Sequence, residues 1–331
     1  MGQQWSNIFP PPPTLTEKNL PDQSGKVFIV TGASGGIGKQ LAAILYQHNA
    51  KVYIAARSQA KAQDAIAEIQ HANPNSTGGL VYLHLDLGDL SSIRISVDEF
   101  LRKESRLDVL WNNAGVMVPP AGSKTVQGYE LQLGTNNLGH FLFTHLLYPI
   151  LKRTADSSAP GSVRVVWVSS SVAEMAPTPA IVFSNMDYQR EEGAWRKYAR
   201  SKAGSVLHAS EFARRAKGDG IISLVRSFSA SFLFGSWLTH VQSLNPGNFV
   251  TNLQQSMPRW QVALFKLIAH DPKYGAYTEL FAGLQPDITQ DKSGSWVAPF
   301  GRFVPIREDL LDPSLGKKYW DWTEEQVRKY V

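Results

Sequence analysis

The apolar run 26–30 passes directly into Thr31-Gly32-Ala33-Ser34-Gly35-Gly36-Ile37-Gly38 and then into an amphipathic stretch, 39–48. That junction constrains the fold more than any other feature of the chain. A continuous apolar run suits a strand buried on both faces of a parallel sheet. A glycine turn between such a strand and a helix presents free backbone N–H groups and the positive end of the helix dipole, which together suit a phosphate. Gly32 allows the tight turn, Gly36 lets a pyrophosphate approach the backbone, and Gly38 lets helix and strand pack closely. The spacing is Gly-x-x-x-Gly-x-Gly rather than Gly-x-Gly-x-x-Gly. Gly32, Ser34, Gly36, Ile37 and Gly38 are therefore candidate cofactor-binding residues.

Further apolar runs recur at 52–56, 80–85, 107–111 and 163–168, with helix-compatible stretches between them. Strands alternating with helices in this rhythm predict an α/β fold, a doubly wound parallel sheet of Rossmann-like type. Ligands of such sheets bind at the carboxyl ends of the strands, where every motif here falls. The second strand ends in Arg57-Ser58, with Lys61 one turn on and no acidic residue. An acid at this point accepts from the ribose 2′-hydroxyl of NAD, whereas an arginine accommodates the 2′-phosphate of NADP. Arg57 and Lys61 thus favour NADP over NAD. The third strand ends at Asp86, whose carboxylate can accept from an adenine amino group, while Asp89 is better placed to cap the next helix. The fourth strand runs into Asn112-Asn113-Ala114-Gly115 and the fifth into Ser169-Ser170-Ser171.

Tyr198 and Lys202 stand four apart in a helix-compatible segment, so their side chains emerge on one face. A phenol titrates near pH ~10, and an ammonium a turn away favours its ionised form and pulls that value down. A serine arriving from a neighbouring strand can hold a substrate oxygen beside the phenol. His140 and His208 read as structural residues. No His/Asp/Glu cluster has metal-ligand spacing, and the chain has no cysteine, which removes disulfides, zinc–thiolate sites and cysteine nucleophiles. A net charge of +5 spread along 331 residues contains no basic block of the kind that binds nucleic acid. The start, Met1-Gly2-Gln3-Gln4-Trp5-Ser6, fits a myristoylation pattern, although no polybasic patch supplies a second membrane anchor. The other reading of 1–24 is a plain leader ending in the proline linker 10–13, on a cytoplasmic protein.

Taken together, these motifs resemble the short-chain dehydrogenase/reductase family, in its retinol-dehydrogenase-like branch, with fungal members of secondary metabolism nearest in pattern. The resemblance spans 25–251 and rests on the glycine turn, Asn112-Asn-Ala-Gly115, the strand-end serines, Tyr198-x-x-x-Lys202, and Asn245-Pro246-Gly247 with Thr251. It implies a catalytic set of Tyr198 as general acid/base, Ser170 orienting the substrate oxygen, Lys202 holding the nicotinamide ribose and lowering the Tyr198 pKa, and Asn136 completing a proton relay through water. It places Asn113 by the cofactor ribose, Pro246 and Gly247 in the cofactor loop, and Thr251 near the carboxamide. The activity implied is hydride transfer between NADP and a small lipophilic carbonyl compound or alcohol, with a homodimer as one assembly open to the chain. Met175, Phe183, Met186 and Trp195 are apolar enough to line a lipophilic pocket; packing of a surface loop is the other reading.

One stretch departs from the family pattern. The sixth strand begins at 220–224 and the motif it should enter begins at 243, so 225–242 is an anomalous insert. Its removal joins Gly-Ile-Ile-Ser-Leu to Ser-Leu-Asn-Pro-Gly. We read it as a translated intron, since valine codons begin with GT, a glutamine codon can end in AG, and Leu238-Thr239 can encode a branch site. A substrate flap and a membrane span are the rival readings; the span is interrupted by Arg226, Thr239 and serines. The organisation expected is a leader (1–24), a dinucleotide-binding catalytic domain (25–253) and a C-terminal substrate-side cap (254–331) within a single domain. Trp260, Phe265 and Trp296 are pocket candidates there. The final helix spans 317–330, with Thr323-Glu324-Glu325-Gln326 resembling a capping box. An NADP-binding protein without turnover, its site disturbed by the insert, is the alternative to an enzyme.

Overall fold

The structure, a computed structural model, describes residues 10–226, 248–249 and 269–331. The expected alternation is present. Strand β1 (Val27–Thr31) is followed by helix α1 (Gly36–Gln47), β2 (Lys51–Ala56), α2 (Gln59–Ala72), β3 (Gly79–His84), α3 (Leu90–Lys103) and β4 (Val109–Asn112). Helix α4 (His140–Asp156) is entered without a break through a helical turn, Leu131–Leu133, and a π-helical stretch, Gly134–Gly139. Then come β5 (Arg164–Val168), α5 (Ala194–Arg215) and β6 (Ile222–Arg226). After a short pair formed by β7 (Asn248–Phe249) and β8 (Ala269–His270), the chain adds α6 (Pro272–Leu284), β9 (Trp296–Ala298), β10 (Arg302–Phe303) and α7 (Pro313–Val327).

The eight-stranded sheet has the order β10-β9-β6-β5-β4-β1-β2-β3, parallel except at the β10 edge. Strand order reverses between β1 and β4, which opens a crevice at their carboxyl ends. Alternate residues of each strand serve two cores. Val27 and Ile29 of β1 join α3, α4, α5 and α7 on one face. Phe28 and Val30 join α1, α2 and α6 on the other. Both faces of the central strands are therefore apolar, as the unbroken hydrophobic runs require.

The C-terminal segment is integral to both layers. Helix α6 packs beside α1, and the indole Nε1 of Trp111 donates to the carbonyl of Glu279 at 2.9 Å. Trp296, a pocket candidate from sequence, is instead a buried core residue of β9, while Trp260 and Phe265 lie outside the described residues. Over the loop after β5 the C-terminal segment contributes a short stretch. Ile306 and Leu310 pack in the core with Val172, Ala173 and Ala176, and Arg307 donates to the carbonyls of Glu174 and Ala176 in the loop after β5. Helix α7 starts earlier than expected, at Pro313, where Asp312 accepts from the Ser314 N–H at 2.9 Å. Thr323 is no cap: it is buried inside the helix, donates to the Tyr319 carbonyl and faces His208 at 3.0 Å. Local spacing mimics a capping box there, but the Asp312 cap and Pro313 mark where the helix begins.

Part of the leader is structural. Leu15 and Leu20 are buried in the second core, and the Glu17 carboxylate accepts from Lys273 at 2.9 Å and from the Tyr277 hydroxyl at 2.7 Å. Gly2 and Ser6 lie outside the described residues, as do 227–247 of the anomalous segment and its flank. Val225 and Arg226 form the last rungs of β6, opposite Trp167 and Val168. Among the described residues no helix is long and apolar enough to cross a membrane.

The tightest contact between α6 and the sheet is at Gly283, where an added Cβ would lie 2.1 Å from Cζ2 of the buried Trp111. Gly283→Ala should therefore lower unfolding stability by about 1–3 kcal/mol, the usual range for overpacking. Chemical denaturation of the two forms measures this, and an unchanged midpoint would show that α6 can shift at no cost.

Candidate active site

A cavity of about 490 Å³ opens at the carboxyl ends of β1, β2, β4 and β5. Its inner end is the glycine turn. Gly32 has φ +71°, a left-handed conformation that side chains resist, and a Cβ there would stand 2.9 Å from the Ala114 Cα. At Gly38 a Cβ would stand 2.6 Å from the Asn113 amide nitrogen. The turn thus presses against the Asn-Asn-Ala-Gly segment, a closer reason for glycine than helix–strand packing alone. Helix α1 begins at Gly36 with no side chain capping it and no acidic residue in its first turn. Its N–H groups and dipole are left for an anion.

Thr31 joins the two strand ends. Its hydroxyl accepts from the Ala114 N–H at 2.9 Å and stands 3.2 Å from the Trp111 carbonyl. The Asn113 amide donates to the Thr31 carbonyl at 2.6 Å. Nε2 of His140 is 3.1 Å from the Thr31 hydroxyl, and its Nδ1 is 3.2 Å from the Asn136 carbonyl. A carbonyl only accepts, so Nδ1 carries the proton and Nε2 faces the hydroxyl as an acceptor. Burial lowers the His140 pKa to about 3, so the ring is neutral. Both His140 and His208 are buried structural residues, in agreement with the sequence reading.

Tyr198 and Lys202 emerge from α5 on the face towards β5, and both line the cavity. The Lys202 ammonium donates to the Val168 carbonyl at 3.0 Å and lies 5.7 Å from the centre of the Tyr198 ring. Ser170 is fully buried beyond the end of β5, and its hydroxyl accepts from the Val172 N–H at 3.2 Å. Burial pushes the Tyr198 phenol well above its ordinary value, and a hydrogen bond with Ser170 pulls partly the other way. This is opposite to the lowering that spacing alone suggests. Desolvation of the phenolate is the larger effect, and the Lys202 ammonium donates to the Val168 carbonyl. The chain by itself thus holds this phenol protonated.

Gly32, Ser34, Gly36, Ile37, Gly38, Arg57, Lys61, Asp86 and Asn113 all line the same cavity. Arg57 and Lys61 are exposed at its rim, and Ser58 between them caps α2. Asp86 accepts from the Gly88 N–H at 2.9 Å, whereas Asp89 caps α3, as expected. Asn136 stands behind the wall. Its amide is committed to both backbone groups of Val116, at 2.9 and 3.0 Å, and to the Ser201 hydroxyl at 3.0 Å. Pro246, Gly247 and Thr251 lie outside the described residues. The four apolar residues expected to line a lipophilic pocket do not line this cavity. Phe183 and Met186 pack against Ile181, Leu207 and Tyr319, Trp195 meets Tyr198 edge-on at 6.0 Å, and Met175 is exposed. The apolar lining comes instead from Val116, Met117, Pro119, Pro120 and Leu131. Ser169, which also lines the cavity, donates to the Lys202 carbonyl at 2.7 Å. The sequence signal for the wall was the apolar run 116–120 after the Asn-Asn-Ala-Gly turn.

Comparison with known proteins gives a consistent picture. The short chain dehydrogenase family profile matches residues 26–226. The short-chain dehydrogenase/reductase pkfC of Emericella nidulans is 52% identical over 324 residues, covering 97% of this chain and 98% of its own. A crystal structure of an uncharacterised protein from Mycobacterium Paratuberculosis is 26% identical with a TM-score of 0.68, covering 95% of this chain and 97% of that one. The Pseudomonas aeruginosa RhlG/NADP active-site complex shares the fold at 23% identity and a TM-score of 0.59, covering 81% and 94% of the two chains.

The two buried histidines set a pH dependence. Burial holds both His140 and His208 at a pKa of about 3 in the folded chain, below the value of about 6.5 expected when unfolded. Their contribution is therefore complete above pH ~6.5 and is lost as pH falls towards the folded value. Unfolding free energy should drop by about 2 kcal/mol per histidine between pH 7 and 5. Denaturant titrations across that window check this, and His208→Phe should flatten the slope.

Proposed function

The chain belongs to the short-chain dehydrogenase/reductase family and is an oxidoreductase with a nicotinamide cofactor; from that premise we propose that it is a cytoplasmic, NADP-dependent enzyme acting on a lipophilic carbonyl compound or the matching alcohol. The observation that carries this reading is a buried, protonated phenol, Tyr198, in hydrogen-bond contact with Ser170 and opening on the cavity that holds the glycine turn. The residues fit a dinucleotide. Backbone replaces side chains at Gly32 and Gly38, the α1 N-terminus is uncapped, and Arg57 and Lys61 supply positive charge where a 2′-phosphate would lie.

When bound, the nicotinamide supplies or takes the hydride. The chain's own residues handle the proton. Tyr198 donates from its Oη to the carbonyl oxygen during reduction and recovers the proton from solvent afterwards. Ser170 orients that oxygen. Lys202, fixed by the Val168 carbonyl, favours the phenolate at the moment it forms and holds the cofactor ribose. Asn136 serves the return of the proton through water. Its Oδ1 and the Lys202 Nζ both face Gly115, at 3.2 and 3.6 Å from a Cβ built there. Asp86 and Asn113 hold the adenosine and ribose ends.

Tyr198→Phe should cut NADPH oxidation with decanal by roughly 10²-fold or more, while NADPH still quenches tryptophan fluorescence with unchanged affinity. NADPH should outperform NADH in kcat/KM, and parity between them would remove the role given to Arg57.

The second reading, cofactor binding without turnover, rests on the segment 225–242, whose first two residues are the last of β6. Val225 and Arg226 fill rungs that Ser243 and Leu244 would occupy if that segment were a translated intron. Deleting 225–242 should raise turnover if it is one; loss of activity on deletion would make the segment part of the working enzyme.

A further inference from the structure

Beyond the Asn-Asn-Ala-Gly turn the backbone takes a costly shape. Val118 has φ +46°, although it is β-branched and precedes Pro119. Left-handed backbone is a genuine outlier for a β-branched residue, and a following proline restricts it further towards extended values. Such a conformation persists only where its surroundings over-determine it.

Two buried amides, four residues apart on the lead into α4, do so. Gln132 is fully buried, accepts from the Val118 N–H at 3.0 Å, and donates to the Ala194 carbonyl and the Glu130 carboxylate, both at 3.1 Å. Asn136 holds both backbone groups of Val116 and reaches Ser201. Ala194 lies one turn before Tyr198 on α5, and Ser201 lies just after it. The loop is thereby pinned to the helix on both sides of the phenol. Met117, Pro119 and Pro120, held by these clamps, line the cavity with Tyr198.

We propose that Gln132 is a positioning residue that sets substrate selectivity. By holding Val118 left-handed and tying it to Ala194, it fixes Met117, Pro119 and Pro120 as a rigid wall at a set offset from the Tyr198 phenol. That wall limits the size of the group carried by the carbonyl carbon. The inference deepens the oxidoreductase reading and rests on it.

Steady-state kinetics with hexanal and decanal test it on the full chain, alongside hydrogen exchange of the segment 115–119. In Gln132→Leu the decanal-to-hexanal ratio of kcat/KM should change by roughly tenfold, mainly through KM, as loss of positioning implies. NADPH affinity should stay the same and exchange at 115–119 should rise. Adding Val118→Gly should restore most of the wild-type ratio, because glycine accepts the left-handed shape without a clamp. An unchanged ratio, an equal loss for both aldehydes together with NADPH binding, or no rescue by Val118→Gly would overturn the proposal. If the wild-type chain reduces neither aldehyde, the lipophilic-carbonyl reading is what fails. Exchange then decides the clamp alone, and an unaltered rate in Gln132→Leu would overturn it.

Discussion

The hydrogen bonds that join the end of β1 to the end of β4 place everything else in this molecule. Thr31 is held against Ala114, Trp111 and Asn113 within a few ångströms, and that closeness forbids a side chain at Gly32 or Gly38. The reversal of strand order occurs between these two strands, so the crevice it opens is floored by backbone. A phosphate can approach such a floor, and the uncapped start of α1 faces the same place. His140, neutral because it is buried, ties the lead into α4 to the same threonine.

A second set of constraints runs from that lead to α5. Asn136 and Gln132 fasten the segment after β4 to the helix that carries Tyr198 and Lys202. The π-helical stretch that holds Asn136 is a geometry that tends to mark functional positions. The phenol, the ammonium and the apolar wall are consequently parts of one rigid unit. Burial gives Tyr198 its proton, since a phenolate in this setting would lose its hydration without full compensation.

Much of this was legible beforehand. The strands were readable because both their faces are buried, so their sequences are apolar throughout, and the glycine turn was readable because its neighbours exclude side chains. The residues at the glycine-turn end of the cavity followed for the same reason. Its apolar wall did not. Phe183, Met186 and Trp195 are apolar because they pack around α5 and α7, and hydrophobicity alone does not distinguish core from pocket. Thr323 misled for a related reason, since a buried threonine facing His208 has the same local spacing as a cap.

The sequence by itself determined the sheet, the order of the motifs along it and the identity of the groups that meet at the strand ends, because periodicity and glycine placement are local consequences of burial and close approach. Only the tertiary structure decided the state of Tyr198, since desolvation depends on every element packed around it. It alone also showed that Val118 is left-handed and donates its N–H to Gln132, a residue whose side chain meets its partners through the fold and not through spacing. Long-range contact carries no periodic signature in the chain, which is why the wall of the cavity had to be seen and could not be read.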